Sequence, residues 1–273
     1  MRRLLLISAI LCALLATFTS GGSTHSALRS PLSTHSAGNV KLSPETLQYK
    51  VMFKWGLINK KAGSAELMLK RDNDHYNARL VGTSEPWADR IFRVRDTLIG
   101  RMSLENYTPL YYEKIAHEGN DHKHDVVKFI YKNYPPLTQA ECIRKVWKKG
   151  ELKVDETRTM ESAERTVDML TSFYFMRSLP YQDWKPGTTE QADIFSGKAK
   201  ERLSIVYQGK VNLDIDGKLY PTYHITFKFT SKGGRKSSDD MDGWISADSK
   251  RIPLRLEGKL PVGKVHCIYT GTN

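Results

Sequence analysis

Hydrophobic and polar positions alternate along most of the chain, and the first clear run is YKVMFKWGLINKKAGSAELMLK, from Tyr49 to Lys70. Tyr49, Val51, Phe53 and Trp55 share one strand face, because strand side chains alternate with period two, and that face is predicted to be buried. Gly63, Ala65, Leu67 and Leu69 repeat the pattern after GLINKKA returns the chain, which reads as a hairpin with a loose or bulged turn. In this register small Gly63 and Ala65 face bulky Phe53 and Trp55, an interleaving that lets a curved sheet close.

The same alternation predicts strands at 75–83, 94–101, 110–117, 122–131, 142–147 and 152–157, and again at 202–215, 220–230, 241–246, 251–257 and 264–269. Gly119-Asn120, Lys148-Lys149-Gly150 and Asp216-Gly217 supply hairpin turns. One segment, SAERTVDMLTSFYFMRSLP, changes period: Val167, Leu170, Phe173 and Tyr174 lie at helical spacing, Ser162 is placed to cap the start, and Pro180 ends it. SEPWADRIF, from Ser84, adds a short helical turn. The predicted fold is mainly β, an antiparallel and strongly curved sheet or barrel with one amphipathic helix packed on it.

The ends change the picture. MRRLLLISAILCALLATFTSGG places two arginines before an apolar run and small residues after it, the order of a signal peptide, assigned to residues 1–21. The run is shorter than the roughly 20 apolar residues that span a bilayer, and no transmembrane span is expected in the mature chain. Cys12 lies inside the apolar run and follows Leu11, which argues against lipidation there. A Ser/Thr/His-rich stretch carrying STHSA twice reads as a flexible linker, 22–41, and 42–273 as a single exported β domain with Pro135-Pro136 and DWKPGTTE as the plausible seams.

The formal charge of +12 falls by two once Arg2 and Arg3 leave with the signal. Such a basic chain would suit nucleic acid, but export excludes that partner and leaves lipid head groups, lipopolysaccharide phosphates and acidic glycans. Cys142 and Cys267 remain, as a disulfide or as two separate buried thiols.

The opening Tyr49-x-Val51-x-x-x-Trp55-Gly56 with Gly63-x-Ala65, the Arg-Val-Arg-Asp segment from Arg93, the helix from Asp168 to Arg177, and Gly243-Trp244 followed by 248–256 and 261–263 together resemble an exported family known as domain of unknown function 3108. The resemblance covers most of the mature chain and implies a Gram-negative envelope or periplasmic protein with a β-barrel-like fold akin to the YmcC-like architecture. It implies no reaction and no cofactor.

Candidate chemistry is sparse. AHEGNDHKHD puts His117, His122 and His124 on one face of a hairpin, a set suited to zinc or copper, although a solvated polar tip accounts for the same residues. NLDIDG lacks the glutamate of a calcium loop, GGRKSSDD lacks phosphate-loop spacing, and no nucleophile elbow or zinc helix occurs. Arg93 and Arg95 either pair with carboxylates or grip an anion, and Asp248 with Arg251 and Arg255 raises the same choice.

The leading expectation is a non-catalytic envelope protein whose curved sheet holds a lipid or lipid-linked glycan, with Trp55, Trp87, Phe92, Arg93 and Arg95 as contacts. The rivals are a structural or interaction subunit of a polysaccharide-export or envelope assembly with protein partners, and a glycan-acting enzyme that brings two carboxylates together.

Overall fold

In the computed structural model, the described residues are 40–133, 136–231, 238, 240–260 and 262–272. The segment read as a signal peptide and its Cys12, nearly all of the predicted 22–41 linker, Pro135 and most of GGRKSSDD lie outside them. Fifteen strands follow one another: β1 (Glu45–Trp55), β2 (Ile58–Arg71), β3 (His75–Ser84), β4 (Val94–Ser103), β5 (Pro109–Glu118), β6 (Asp121–Asn133), β7 (Pro136–Lys148) and β8 (Glu151–Ser162), then β9 (Thr166–Val167), β10 (Thr189–Phe195), β11 (Lys200–Ile215), β12 (Lys218–Ser231), β13 (Met241–Ser246), β14 (Pro253–Lys259) and β15 (Lys264–Thr272). Among the described residues two short α-helices interrupt them, α1 (Pro86–Phe92) and α2 (Thr171–Ser178).

Sequence neighbours are sheet neighbours. The order runs β8 to β1, then β15 back to β9, so the last strand returns beside the first, and every pairing is antiparallel except the short β9–β10 pair. The sheet ends at β8 and at the two-residue β9, and the β10–β11 hairpin beside β9 meets β8 across a seam made by side chains. Ser162 Oγ donates to Asp193 Oδ2 at 2.6 Å, Arg158 donates to the Lys198 carbonyl at 3.0 Å, and Lys200 Nζ donates to the Glu161 carbonyl at 3.0 Å. The result is a nearly closed barrel.

The hairpin turns fall where the sequence placed them. Lys149-Gly150 and Asp216-Gly217 both take positive φ, the backbone that two-residue hairpins need to match strand twist. The first hairpin differs in detail. Its turn is the tight pair Gly56-Leu57, the bulge lies at Val51/Met52, and Ala65 and Gly63 face Tyr49 and Val51 instead of Phe53 and Trp55. A side chain at Gly63 would press on the Thr83 carbonyl at 2.6 Å, so the close β2–β3 approach requires glycine there. Tyr49 and Val51 are buried as expected, Phe53 is half-buried, and Trp55 is exposed because the hairpin runs past its neighbours. The last residues of DWKPGTTE, Thr189 and Glu190, begin β10.

The lumen is filled from within. The predicted helix is shorter than its pattern, and all eight residues of α2 are buried, so it is a plug inside the barrel and not an amphipathic helix on its surface. Ser162 bonds Asp193 and caps nothing. Asp168 does the capping: its Oδ1 accepts from the amides of Leu170 and Thr171 at 2.7 and 2.8 Å, and Thr171 Oγ1 accepts from the Asp168 amide at 2.9 Å.

Around the plug, Leu170 packs where Gly100 leaves room in β4, and Phe173 meets Tyr49 of β1 edge to face at 6.3 Å. Arg177 is sealed in by the carbonyls of Arg251 and Lys250, at 3.1 and 2.7 Å, and by an ion pair with Glu45. Tyr181, Tyr207 and Tyr223 cluster behind α2, with ring centroids 5.4 to 6.1 Å apart.

Candidate binding surface at one end of the barrel

Because the strands alternate in direction, the connections divide between two ends. One end gathers the β1–β2 turn, α1, the β5–β6 turn at Gly119-Asn120 and the β14–β15 turn. Direct contacts tie these together. Trp87 Nε1 of α1 donates to the Lys61 carbonyl at 2.7 Å, and Lys60 Nζ sits 4.8 Å over the Trp87 ring. The Gly119 amide donates to the Arg93 carbonyl at 2.8 Å, and Gly119 lies against the Phe92 ring. Gly263 fits against Lys54 and Trp55, and a side chain there would collide with the Lys54 carbonyl.

This end carries large apolar side chains that face water. Leu57 is fully exposed at the turn, with Trp55, Ile58, Ile91 and Val262 also exposed around it. Basic side chains surround them: Lys54, Lys60, Lys61, Arg90, Arg93, Lys259 and Lys264 are all exposed. Lys61 is paired with Glu85 at 2.7 Å and Lys264 with Glu257 at 3.0 Å, whereas Lys54, Lys60, Arg90, Arg93 and Lys259 form no ion pair among the described residues. The apolar tip thus stands beside exposed cations that form no ion pair among the described residues.

The sequence-predicted contacts divide by role. Trp55, Trp87, Phe92 and Arg93 all reach this end, although Phe92 is half-buried against the core. Arg95 is placed otherwise. It grips Asp89 with two nitrogens, at 3.1 and 2.7 Å, and reaches Ser84 Oγ at 3.0 Å and the Val94 carbonyl at 2.7 Å. Ser84 Oγ in turn donates to Asp89 and accepts from the Val94 amide. The Arg95 guanidinium, helped by the Ser84 hydroxyl, holds the Asp89 carboxyl below its ordinary range. Arg95 therefore pins α1 to the sheet and has no fork left for a ligand.

Leu57, Ile58, Ile91, Lys54 and Lys60 were missed. The signal was present in Trp55-Gly56-Leu57-Ile58: apolar residues occupy a two-residue turn where polar ones are expected, and periodicity alone assigns them to a core.

His117 and His122 pair across β5–β6 on the outer face, their rings 4.3 Å apart, and Trp147 lies 4.8 Å from His122. Burial, with the neighbouring imidazoles adding to it, pushes the His122 pKa down. His124 shares that face but bonds Glu113 Oε1 at 2.7 Å. Among the described residues no group of three or more His, Cys, Asp or Glu side chains is arranged to hold a metal ion.

The inner wall of β5–β8 carries charges in compensating pairs. Glu118 accepts from Lys123 and lies 3.7 Å from Lys114, Asp125 pairs with Arg144 at 2.8 Å, and Arg158 pairs with Glu156. Burial raises Asp168 and Glu201 to about 7. Burial would raise Asp193 as well, but hydrogen bonds from Lys200, Ser162 and Arg202 outweigh it and hold that carboxyl low. Arg255 pairs with Glu257 at 2.8 Å, whereas Asp248 turns the loop before β14 by accepting from the Lys250 and Arg251 amides. Cys142 and Cys267 are free, stand on strands far apart in the sheet order, and burial raises both thiols to about 12. Asn212 and Asp214 lie in β11, as the hairpin reading requires, and Asp214 Oδ1 accepts from the Gly217 amide at 2.9 Å.

A family model described as protein of unknown function DUF3108 matches residues 48–267, which is most of the chain. The chain belongs to the DUF3108 family. Among solved structures it is similar to the crystal structure of a beta-barrel-like protein of domain of unknown function DUF1849 from Brucella abortus, with a TM-score of 0.57 and 8% identity, over 86% of this chain and 98% of that one. At that identity the likeness concerns the fold. No protein of curated function matches the chain. Among the described residues no helix is long and apolar enough to cross a membrane.

Proposed function

We propose that this DUF3108 chain is an exported, non-catalytic envelope protein of Gram-negative type that binds a lipid or lipid-linked glycan at its apolar, basic end. The observation that carries the reading is Leu57, fully exposed beside Trp55 and Ile58 and ringed by Lys54, Lys60, Arg90, Arg93 and Lys259. An anionic head group neutralises such a ring while its acyl portion covers the aliphatic tip. The lumen is a poorer host. Helix α2 and the tyrosine cluster occupy the space that a carrier would leave for its ligand.

The test is titration of the full mature chain with lysophosphatidylglycerol below its micelle concentration, followed by native mass spectrometry. A saturable adduct, weaker for lysophosphatidylcholine, is the expected result. An adduct that forms equally with both lipids, or not at all, contradicts the reading.

A further inference from the structure

The β1–β2 hairpin does more than expose one leucine. Its last pairing with β15 is Lys54 with Lys264, and its last pairing with β3 is Gly63 with Ser84. On the β3 side the four residues Ile58–Lys61 therefore run past the sheet, roughly 13 Å at about 3.3 Å per residue. Helix α1 braces that side, through the Glu85 amide on the Ala62 carbonyl at 2.8 Å and Trp87 on Lys61. The projecting part carries Trp55, Leu57 and Ile58 at its tip and Lys54, Lys60 and Lys61 behind them.

We propose that this hairpin docks the barrel on the surface of an anionic bilayer, a reading that rests on the amphiphile-binding function above and names its occupant. Leu57 enters the boundary between head groups and acyl chains, Trp55 and Ile58 lie together just behind it, and Lys54, Lys60, Arg90 and Arg93 meet lipid phosphates. Depth and charge agree. Leu57 leads, the cross-strand pair Trp55 and Ile58 follows, and Lys54 and Lys60 stand behind them, the order in which a bilayer presents hydrocarbon, interface and phosphate. A protein partner would require a broader surface with acids facing these cations. The opposite end supplies an internal control: Leu219 is exposed near the β11–β12 turn, where Asp214 and Asp216 add negative charge and Asp216 pairs with Lys50 at 3.0 Å.

The experiment measures binding of the full mature chain to phosphatidylcholine vesicles with and without phosphatidylglycerol. Leu57→Asp and Leu219→Asp are compared, and Asn59→Cys carries an environment-sensitive dye; the buried native thiols leave that cysteine as the accessible one. Expected are binding that needs phosphatidylglycerol and weakens with salt, a blue shift of the dye on binding, about a tenfold or greater loss for Leu57→Asp, and little change for Leu219→Asp. Equal binding by Leu57→Asp and the wild type, or equal binding to both vesicle types, overturns the proposal. Lysolipid adducts without vesicle binding overturn the docking inference and leave the amphiphile-binding reading standing. Failure of both removes both.

Discussion

Helix α2 and the β1–β2 tip carry similar apolar content and meet opposite fates. The residues of α2 are enclosed by strands from both halves of the sheet, and even Arg177 is sealed there by carbonyls and Glu45. Trp55 continues the alternation of a core strand, and Leu57 and Ile58 follow it around the turn, yet all three stand in water because no neighbouring strand reaches as far as theirs. Apolar residues left exposed among the described residues, next to cations that form no ion pair there, are where a partner is expected. The lumen, which α2 and its aromatic neighbours occupy, is where stability is expected to reside.

Breaking the lumen should have the largest effect. Arg177→Met strands Glu45 and two carbonyls in a buried site and is expected to cost about 3–5 kcal/mol, read from denaturant unfolding; a cost below about 1 kcal/mol would mean that α2 is not the plug described. A smaller effect follows from Asp168. Its folded pKa of about 7 exceeds the ordinary carboxylate value because burial disfavours the charge, so the folded state keeps a proton that the unfolded state has released. Stability should therefore fall as pH rises from about 4 to about 7, and Glu201 adds a slope of the same sign. Asp168→Asn retains the Oδ1 acceptor and should raise stability by roughly 2 kcal/mol at neutral pH while changing little near pH 4. A parallel shift at both pH values would show that capping geometry outweighs titration. The smallest effect belongs to the tip: Leu57→Ser should move the unfolding midpoint by no more than about 0.5 kcal/mol. A larger loss would place Leu57 in the folding core after all.

Much of the fold was legible, because alternation, β-branched runs and turn dipeptides act locally. Tyr49, Val51, Leu67 and Leu69 are buried as their period requires, and the turns at Gly119, Lys149 and Asp216 form where predicted. The helix was legible in type but not in setting. Helical spacing at Leu170, Phe173 and Tyr174 cannot say whether the remaining face meets water or a second wall of the same barrel, and Asp168 looks like an ordinary surface acid until its amide partners are seen. The candidate surface was half legible. Trp55, Trp87, Phe92 and Arg93 were named for their chemistry, and they converge because the connections of alternate strands share an end. Leu57 and Ile58 were hidden because exposure depends on how far neighbouring strands extend, which is set by pairings distant in sequence. For Arg95 the sequence left a carboxylate partner and an anionic ligand both open, because Asp89, six residues earlier, returns to it only when α1 folds back on the sheet.

The most direct test of the contrast is hydrogen–deuterium exchange of the protein with and without phosphatidylglycerol vesicles. Protection of residues 53–61 and 86–93 with no change in 171–178 is the expected result. Protection confined to α2 and β10–β11, with an unaltered tip, would place the ligand in the lumen and contradict the account.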